Sequence, residues 1–165
     1  MQEEQPRPLF TYGSLMEGLF NYQLYLAGKV MGKPRRARIK GELYHLTEKG
    51  YPALLVGDDW VYGEVFELCD FHPTLKELDT LENYYGSNHP ENEYERKVVT
   101  VWLYNEQTQL FDEKLEVYCY PYRIDNDASF AQHSLYLPEG DWHSQALQKI
   151  NSSREISSFQ NLSEG

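Results

Sequence analysis

The segment Trp60-Val61-Tyr62-Gly63-Glu64-Val65-Phe66-Glu67-Leu68 combines aromatic and β-branched residues with polar residues at short intervals. This composition is typical of a β-strand, and two similar runs precede it at residues 39–44 and 53–56. Between the last two runs, Gly57-Asp58-Asp59 predicts a hairpin turn. The region between residues 30 and 68 is therefore expected to be a set of short antiparallel strands.

Glycine occurs inside two of these predicted strands, at Gly41 and Gly63. A residue without a side chain in the middle of a strand indicates strong coiling or the close approach of another backbone. Both features are typical of a small closed barrel, so this region predicts a barrel-like sheet.

The rest of the chain adds helices and further strands. In chain order, the predicted elements are a strand at 9–12, helices at 19–26 and 73–84, strands at 94–104 and 115–122, and a short helix at 142–150 capped by Asp141. This order predicts an α+β fold class, with a small closed β-barrel-like sheet flanked by two or three helices. We place a single domain at residues 8–150, and we expect residues 1–7 and 151–165 to be a disordered arm and a disordered tail.

The charge of the chain excludes one class of function. A formal net charge of −11 argues against a nucleic-acid-binding protein, because affinity for polyphosphates comes mainly from Lys and Arg. A basic run is the local exception, formed by Lys29, Lys33, Arg35, Arg36, Arg38 and Lys40. It predicts either a solvated loop and strand edge, which we favour, or a rim that attracts anions.

No stretch of the sequence reaches the length of a membrane span, and the first residues lack an apolar core of signal-peptide length. We therefore expect a cytoplasmic protein with no membrane partner. A metal site is not expected, because metal-ligand spacing is lacking among His45, His72, His89, His133 and His143. The sequence does not indicate an oligomeric state.

Glu82 is the most informative single residue. The apolar positions of its predicted helix are Leu75, Leu78 and Leu81, and at about 100° per residue Glu82 falls between the first two. A carboxylate on a buried stripe is costly unless it is paired, protonated or facing a cavity. Three explanations stay open from helix geometry alone: a functional carboxylate with a raised pKa, a structural carboxylate paired with an arginine such as Arg96, or a rotated helix that exposes it.

The second candidate feature is Tyr12-Gly13-Ser14-Leu15, where a strand runs into a glycine turn ahead of a helix. Successive backbone N–H groups in such a turn can point at one spot and bind an anion or a carbonyl oxygen. A covalent role for Ser14 is disfavoured, because no G-x-S-x-G sequence surrounds it and no partner histidine is placed by the sequence.

Together these features resemble the γ-glutamylcyclotransferase-like family, which includes the γ-glutamylamine cyclotransferases and the plant AIG2-like proteins. The resemblance extends over residues 8–142. The ordered motifs that carry it are Tyr12-Gly13-Ser14-Leu15 with Gly18 and Asn21, Gly50-Tyr51-Pro52-Ala53, Val61-Tyr62-Gly63-Glu64-Val65-Phe66, Leu78-Asp79-Thr80-Leu81-Glu82, Tyr94-Glu95-Arg96, Val117-Tyr118-Cys119-Tyr120 and Gly140-Asp141-Trp142.

The resemblance implies a small β-barrel flanked by helices, with the Tyr12–Leu15 turn and Glu82 at one cavity. It implies an acyltransferase-type reaction that converts γ-glutamyl amines or amides to 5-oxoproline and a free amine, with Glu82 as the general acid/base. The substrate-binding residues that we carry over or add are Tyr12, Gly13, Ser14, Leu15, Arg96 and Tyr120. For Arg96, a structural pair with Glu64 or Asp79 is an equally good alternative.

The implied substrate carries its own nucleophile, the α-amino group, so neither a metal nor another cofactor is expected. One departure from the animal γ-glutamylamine enzymes is a longer loop at residues 83–93, which resembles bacterial and plant members and leaves the substrate open. A different class of function also stays open, namely a non-catalytic module that binds a small carboxylate-bearing metabolite in the same cavity. A paired, buried Glu82 would favour that alternative.

Overall fold

A computed structural model describes residues 5–16 and 18–142 of the chain. The elements are β1 (Leu9–Thr11), α1 (Phe20–Tyr25), β2 (Val30–Leu46), β3 (Tyr51–Leu68), α2 (Phe71–Leu81), β4 (Lys97–Asn105), β5 (Leu110–Cys119) and β6 (Ser134–Leu137). Single turns of 3₁₀ helix lie at Ile124–Asn126 and Phe130–Gln132. The predicted α+β class is confirmed, with six strands and two α-helices among the described residues.

The hydrogen-bonded strands close on themselves. β3 pairs with both β1 and β2, β2 with β4, β4 with β5, and β5 returns to β1, so five strands form a ring and β6 is added to β2. All of these pairs are antiparallel except that of β1 with β5, which is parallel. Ring closure leaves few unpaired strand edges, and it brings the carboxyl end of β1 close to β3 and β5.

Alternation along the strands produces two hydrophobic cores, one on each side of the sheet. On the outer side of the ring, Leu9 and Phe66 pack with Leu75 and Leu78 of α2. The residues that alternate with Leu9 and Phe66 along their strands point to the inside of the ring. The inner core contains Phe10, Ala37, Ile39, Leu43, Leu54, Val61, Val65, Val101, Leu103 and Val117. The helices therefore cover one face of the ring, and the site described below lies at the end of β1 where both cores meet.

The glycine prediction is confirmed. A Cβ atom on Gly63 would lie 2.1 Å from the carbonyl oxygen of Thr11, and one on Gly41 would lie 2.8 Å from the carbonyl oxygen of Leu55. Neither distance is compatible with a side chain, so both glycines permit close contact between strands of the ring.

The predicted hairpin turn at Gly57-Asp58-Asp59 is wrong. These residues lie within β3, and the chain reverses instead at residues 47–50, where the Gly50 N–H donates to the Leu46 carbonyl. Gly41 is opposite Asp59 and Glu42 is opposite Leu55, so the intervening residues bulge out, and Val56 is 98% exposed. The bulge bends β3 without reversing it, because β2 pairs with the chain on both sides.

The basic run lies almost entirely on β2, which is not an edge strand, so the expected strand edge is wrong. Two of its cations form exposed ion pairs, Lys29 with Glu77 and Arg35 with Glu113. Others lie over aromatic rings, as Arg38 does at 3.9 Å from the ring centre of Trp60. None of the six basic residues lines the cavity described below.

Residues 1–4 and 143–165 lie outside the described residues. The disordered tail, most of the disordered arm and nearly all of the helix expected at 142–150 therefore stay predictions. Among the described residues, no helix is both long enough and apolar enough to cross a membrane.

Candidate active site

Glu82 is the C-cap residue of α2, directly after its last residue, Leu81. Its own N–H donates to the Leu78 carbonyl, and the next two N–H groups close the helix: Asn83 donates to Thr80 at 3.2 Å and Tyr84 donates to Asp79 at 2.9 Å. These two bonds are those of a Schellman motif, which needs a left-handed residue directly after the helix cap. Asn83 supplies that conformation with φ of +52°.

The helix is therefore shorter than predicted, since it ends at Leu81 and not at residue 84. The buried residues of α2 are Phe71, Thr74, Leu75 and Leu78, and Glu82 follows one turn after Leu78, to whose carbonyl its N–H donates. The motif fixes the backbone of Glu82, and its side chain lines a cavity at the end of β1.

The cap makes Asn83 a testable residue. Asn83→Gly should keep the Schellman motif, because glycine adopts positive φ without a side-chain clash. Asn83→Val should lower the free energy of unfolding by about 1–3 kcal/mol, because a β-branched residue is strained in that region. Urea unfolding of the two variants measures this difference; equal stability of the Val and Gly variants would show that the cap does not hold the end of α2.

The Tyr12–Leu15 turn forms another wall of the cavity. Ser14 is fixed from α1, because its carbonyl accepts the N–H groups of Asn21 and Tyr22, and its Oγ accepts a 2.7 Å bond from Asn21 Nδ2. Gly13 is packed so closely that a Cβ atom would lie 2.2 Å from Cγ of Pro52. Among the described residues, the N–H groups of Gly13, Ser14 and Leu15 have no hydrogen-bond acceptor, so they are available to a ligand.

One cavity of about 540 Å³, its open mouth included, brings these features together. Its lining includes Tyr12, Gly13, Ser14, Leu15, Asn21, Tyr51, Pro52, Glu82, Glu93, Tyr94 and Tyr120. A wider groove of about 1460 Å³, open side included, adjoins the cavity through Glu93. The co-location of Glu82 and the Tyr12–Leu15 turn is as expected.

The electrostatics of Glu82 are unusual for a carboxylic acid. Burial, followed by repulsion from Glu93 and Asp79, raises its pKa from 4.5 to about 8. Among the described residues, its carboxyl group has no hydrogen bond and no ion pair. Glu82 is therefore mostly protonated at neutral pH and can change its charge beside a bound cation, which is the property that a general acid/base requires.

Tyr12, Tyr94 and Tyr120 line the cavity together with Glu82. Tyr12 donates to the Tyr120 carbonyl and Tyr94 donates to the Pro52 carbonyl, each at 2.6 Å, and Tyr120 donates to Asp79 at 2.7 Å. Burial is the largest cause that raises the pKa of each of these phenols, and the nearby Glu82 carboxylate adds to it. The hydroxyls therefore stay neutral and hold the walls of the cavity at fixed positions.

Arg96 is the predicted site residue that the structure does not bring to the cavity. Its guanidinium forms an ion pair with Asp79 and lies over the rings of Tyr84 and Tyr118. This is the structural pair with Asp79 that the sequence had left open. Arg96 is connected to the cavity wall through Asp79, which also accepts the hydrogen bond of the Tyr120 hydroxyl.

Several cavity residues were not among the predicted site residues. Asn21 lies seven residues after Ser14 in the next helix, and its place in the opening motif was the available signal. Tyr94 is part of a quoted motif but had no assigned role, and nothing in the local sequence indicated Glu93. Within the described part of the chain, no group of three or more His, Cys, Asp or Glu side chains is placed to hold a metal ion.

Solved structures share this fold at low sequence identity. An AIG2-like protein from Mus musculus superimposes with a TM-score of 0.60 at 20% identity, over 82% of this chain and 88% of that one. A protein of Arabidopsis thaliana does so with a TM-score of 0.56 at 21% identity, over 99% and 94%.

Sequence comparison gives a more specific relationship. The gamma-L-glutamyl-butirosin B gamma-glutamyl cyclotransferase of Niallia circulans is 38% identical over 88 residues, which are 53% of each chain. The chain thus matches about half the length of this relative. A family model described as gamma-glutamyl cyclotransferase, AIG2-like, matches residues 9–144. That match includes the Tyr12–Leu15 turn, Glu82 and the whole ring of strands, and the chain belongs to the AIG2-like gamma-glutamyl cyclotransferase family.

Proposed function

We propose that this protein is an enzyme that converts γ-glutamyl amines or amides to 5-oxoproline and a free amine, with Glu82 as the general acid/base. The observation that carries this proposal is the carboxyl group of Glu82, which is largely buried and unpaired among the described residues, in a cavity whose wall offers the N–H groups of Gly13–Leu15. Family membership and the named relative support the same reaction class.

The reaction is an intramolecular acyl transfer. The α-nitrogen of the glutamyl group attacks its own γ-carbonyl carbon, a C–N bond forms, a five-membered ring closes, and the bond to the leaving amine then breaks. The α-ammonium loses two protons in total and the departing amine gains two, so no external acid or base is consumed. Because nucleophile and electrophile belong to one molecule, the protein has to position them and move protons.

Glu82 is suited to the proton transfers. A bound α-ammonium lowers the pKa of a neighbouring carboxyl group, so Glu82 ionises when substrate arrives and then takes a proton from that ammonium. The resulting acid, in a poorly solvated cavity, donates a proton to the leaving nitrogen. The N–H groups of Gly13–Leu15 stabilise the oxyanion on the γ-carbonyl oxygen as it forms.

The lack of a partner for Glu82 among the described residues also favours an enzyme over a metabolite-binding module. A carboxylate with a purely structural role is normally paired, because an unpaired buried charge is costly. An unpaired carboxyl group in a cavity is expected where its proton is transferred to or from a substrate.

The decisive experiment is incubation of the purified full chain with a panel of γ-glutamyl amines, γ-glutamyl peptides and γ-glutamyl amides, followed by quantification of 5-oxoproline. We expect catalytic release of 5-oxoproline from at least one class, with a stoichiometric amount of free amine. Binding of the panel without any release would favour the binding module. The Glu82→Gln variant serves as the control for spontaneous cyclisation.

Ser14→Ala separates two mechanisms. In the proposed reaction its hydroxyl is at most a hydrogen-bond donor to substrate, while its backbone N–H, which alanine keeps, remains in the turn. We expect a rate loss of about tenfold or less, the value of one side-chain hydrogen bond. Loss of nearly all activity, together with a γ-glutamyl adduct on Ser14 in the mass spectrum of the parent protein, would instead indicate a covalent route.

A further inference from the structure

Glu93 is a second carboxylate in the cavity, and the mechanism above does not use it. Its backbone N–H donates to the Asn83 carbonyl at 3.1 Å, and the Tyr94 N–H donates to the Glu82 carbonyl at 3.3 Å. These two bonds place the chain at Glu93 beside the end of α2. Glu93 lines both the cavity and the wider groove, so it stands where one opens into the other.

The loop that carries Glu93 is held firmly by its neighbours. Glu95 is buried, accepts a 2.6 Å bond from the Asn88 N–H, and forms an ion pair with Arg123 at 2.5 Å. Asn92 is completely buried and donates from Nδ2 to the Gly86 carbonyl at 2.8 Å. A charge on such a loop has a defined position, which is a requirement for a residue that discriminates between substrates.

The partner of Glu93 is exposed. Lys49 Nζ lies 3.1 Å from Glu93 Oε2, and the two side chains are 38% and 22% exposed. Lys49 belongs to the surface turn between β2 and β3, and an exposed ion pair of this kind contributes little to stability. An incoming ammonium group can therefore take the place of Lys49 at small cost.

The groove beyond Glu93 has more acidic than basic side chains. Its charged residues are Glu48, Lys49, Glu91, Glu93, Arg123 and Asp127, with His133 beside them. Arg123 is already paired with Glu95, and Asp127 accepts hydrogen bonds from Tyr122 and His133. The excess negative charge attracts cations along the path that leads to Glu93.

We propose that Glu93 is a specificity-determining residue, which selects substrates whose amine half carries a further positive charge. The inference rests on the proposed function. When the glutamyl group occupies the enclosed cavity with its scissile bond at Glu82, the leaving amine points toward the opening, where Glu93 lies. An ammonium group on that amine replaces Lys49 as the partner of Glu93, with a charge-assisted hydrogen bond.

Two substrates of equal length test this inference. Mono-γ-glutamyl-1,4-diaminobutane ends in an ammonium group, and γ-glutamyl-pentylamine has a methyl group in the same place. We expect kcat/KM of the parent protein to be roughly tenfold higher for the ammonium substrate, as for one charge-assisted hydrogen bond. Glu93→Gln should remove most of this preference, and Lys49→Gln, which frees Glu93 from its competing partner, should enlarge it.

The ratio of the two substrates is the decisive readout, because a general effect of either variant on folding or on Glu82 cancels in it. Equal kcat/KM for both substrates in the parent protein overturns the role of Glu93 and leaves the proposed function intact. A preference that survives Glu93→Gln overturns it as well. If the protein releases 5-oxoproline from neither of these substrates and from no other γ-glutamyl compound of the panel, the proposed function is overturned, and the inference with it. Lys49→Gln changes no residue of the loop, and a preference that does not grow in this variant overturns the exchange of Lys49 for the substrate ammonium group.

Discussion

Replacement of Glu82 by glutamine is expected to lower turnover of a γ-glutamyl amine by about 10²–10⁴-fold, the span typical of a lost general acid/base. Glutamine keeps the shape of the side chain and loses the exchangeable carboxyl proton. The walls formed by Tyr12, Tyr94 and Tyr120 hydrogen-bond to groups other than Glu82, so they should stay in place. KM should therefore change by only a few-fold, and steady-state kinetics with the best substrate of the panel measures both constants.

A matched control is available on the same helix. Glu77 is exposed and pairs with Lys29, so Glu77→Gln makes the same chemical change outside the cavity and should leave turnover unaltered. The mechanism fails if Glu82→Gln turns over as fast as the Glu77→Gln control. A large rise in KM with unchanged kcat would assign Glu82 to substrate binding and not to proton transfer.

How far the sequence predicts the fold is visible in β2 and β3. Strand composition and the internal glycines correctly predicted a closed sheet in this region, because Gly41 and Gly63 reflect contacts that any side chain would block. The turn at residues 57–59 was wrong, since Gly-Asp-Asp has a local turn preference that the pairing of β2 with both halves of β3 overrides. Such pairing is a long-range property and is not readable from a local pattern.

The candidate site, like the fold, is only partly predictable from the sequence. The spacing of Leu75, Leu78 and Leu81 predicts a helix to residue 84, but α2 ends at Leu81. Asn83 is the local signal for this end, because asparagine is a residue type that commonly ends helices in the left-handed conformation. The position of Glu93 had no comparable signal, because it depends on the buried contacts of Glu95 and Asn92, which are far from obvious in a polar loop.

The second large effect concerns stability, and it needs no substrate. The carboxyl group of Glu82 has an ordinary pKa of 4.5 in the unfolded chain and a pKa of about 8 in the folded protein, chiefly because it is buried. Well below pH 4.5, Glu82 is protonated in both the folded and the unfolded protein, so it does not lower the free energy of unfolding. As the pH rises toward 8, the unfolded chain gains by ionisation while the folded protein does not, so the parent protein loses stability across this window.

Glu82→Gln removes this loss, because an amide does not ionise. Each unit of pKa difference is worth about 1.4 kcal/mol, so a rise to about 8 corresponds to a cost of about 3 kcal/mol at pH 7. We expect the inactive variant to be more stable than the parent protein by an amount of this order at pH 7, and by much less at pH 5. Urea unfolding of both proteins from pH 5 to pH 8 measures the difference.

Glu77→Gln again provides the control, because the loss of an exposed ion pair should change the free energy of unfolding only slightly. If the advantage of Glu82→Gln shrinks or reverses as the pH rises, the Glu82 carboxylate is stabilised by a partner in the folded protein, and a structural role replaces the catalytic one. If the advantage grows as expected, the folded protein keeps a carboxyl group that lowers its stability near neutral pH. A carboxyl group that destabilises the folded protein and has no partner among the described residues is best explained by its function, because the same raised pKa lets Glu82 exchange a proton with a substrate near pH 7.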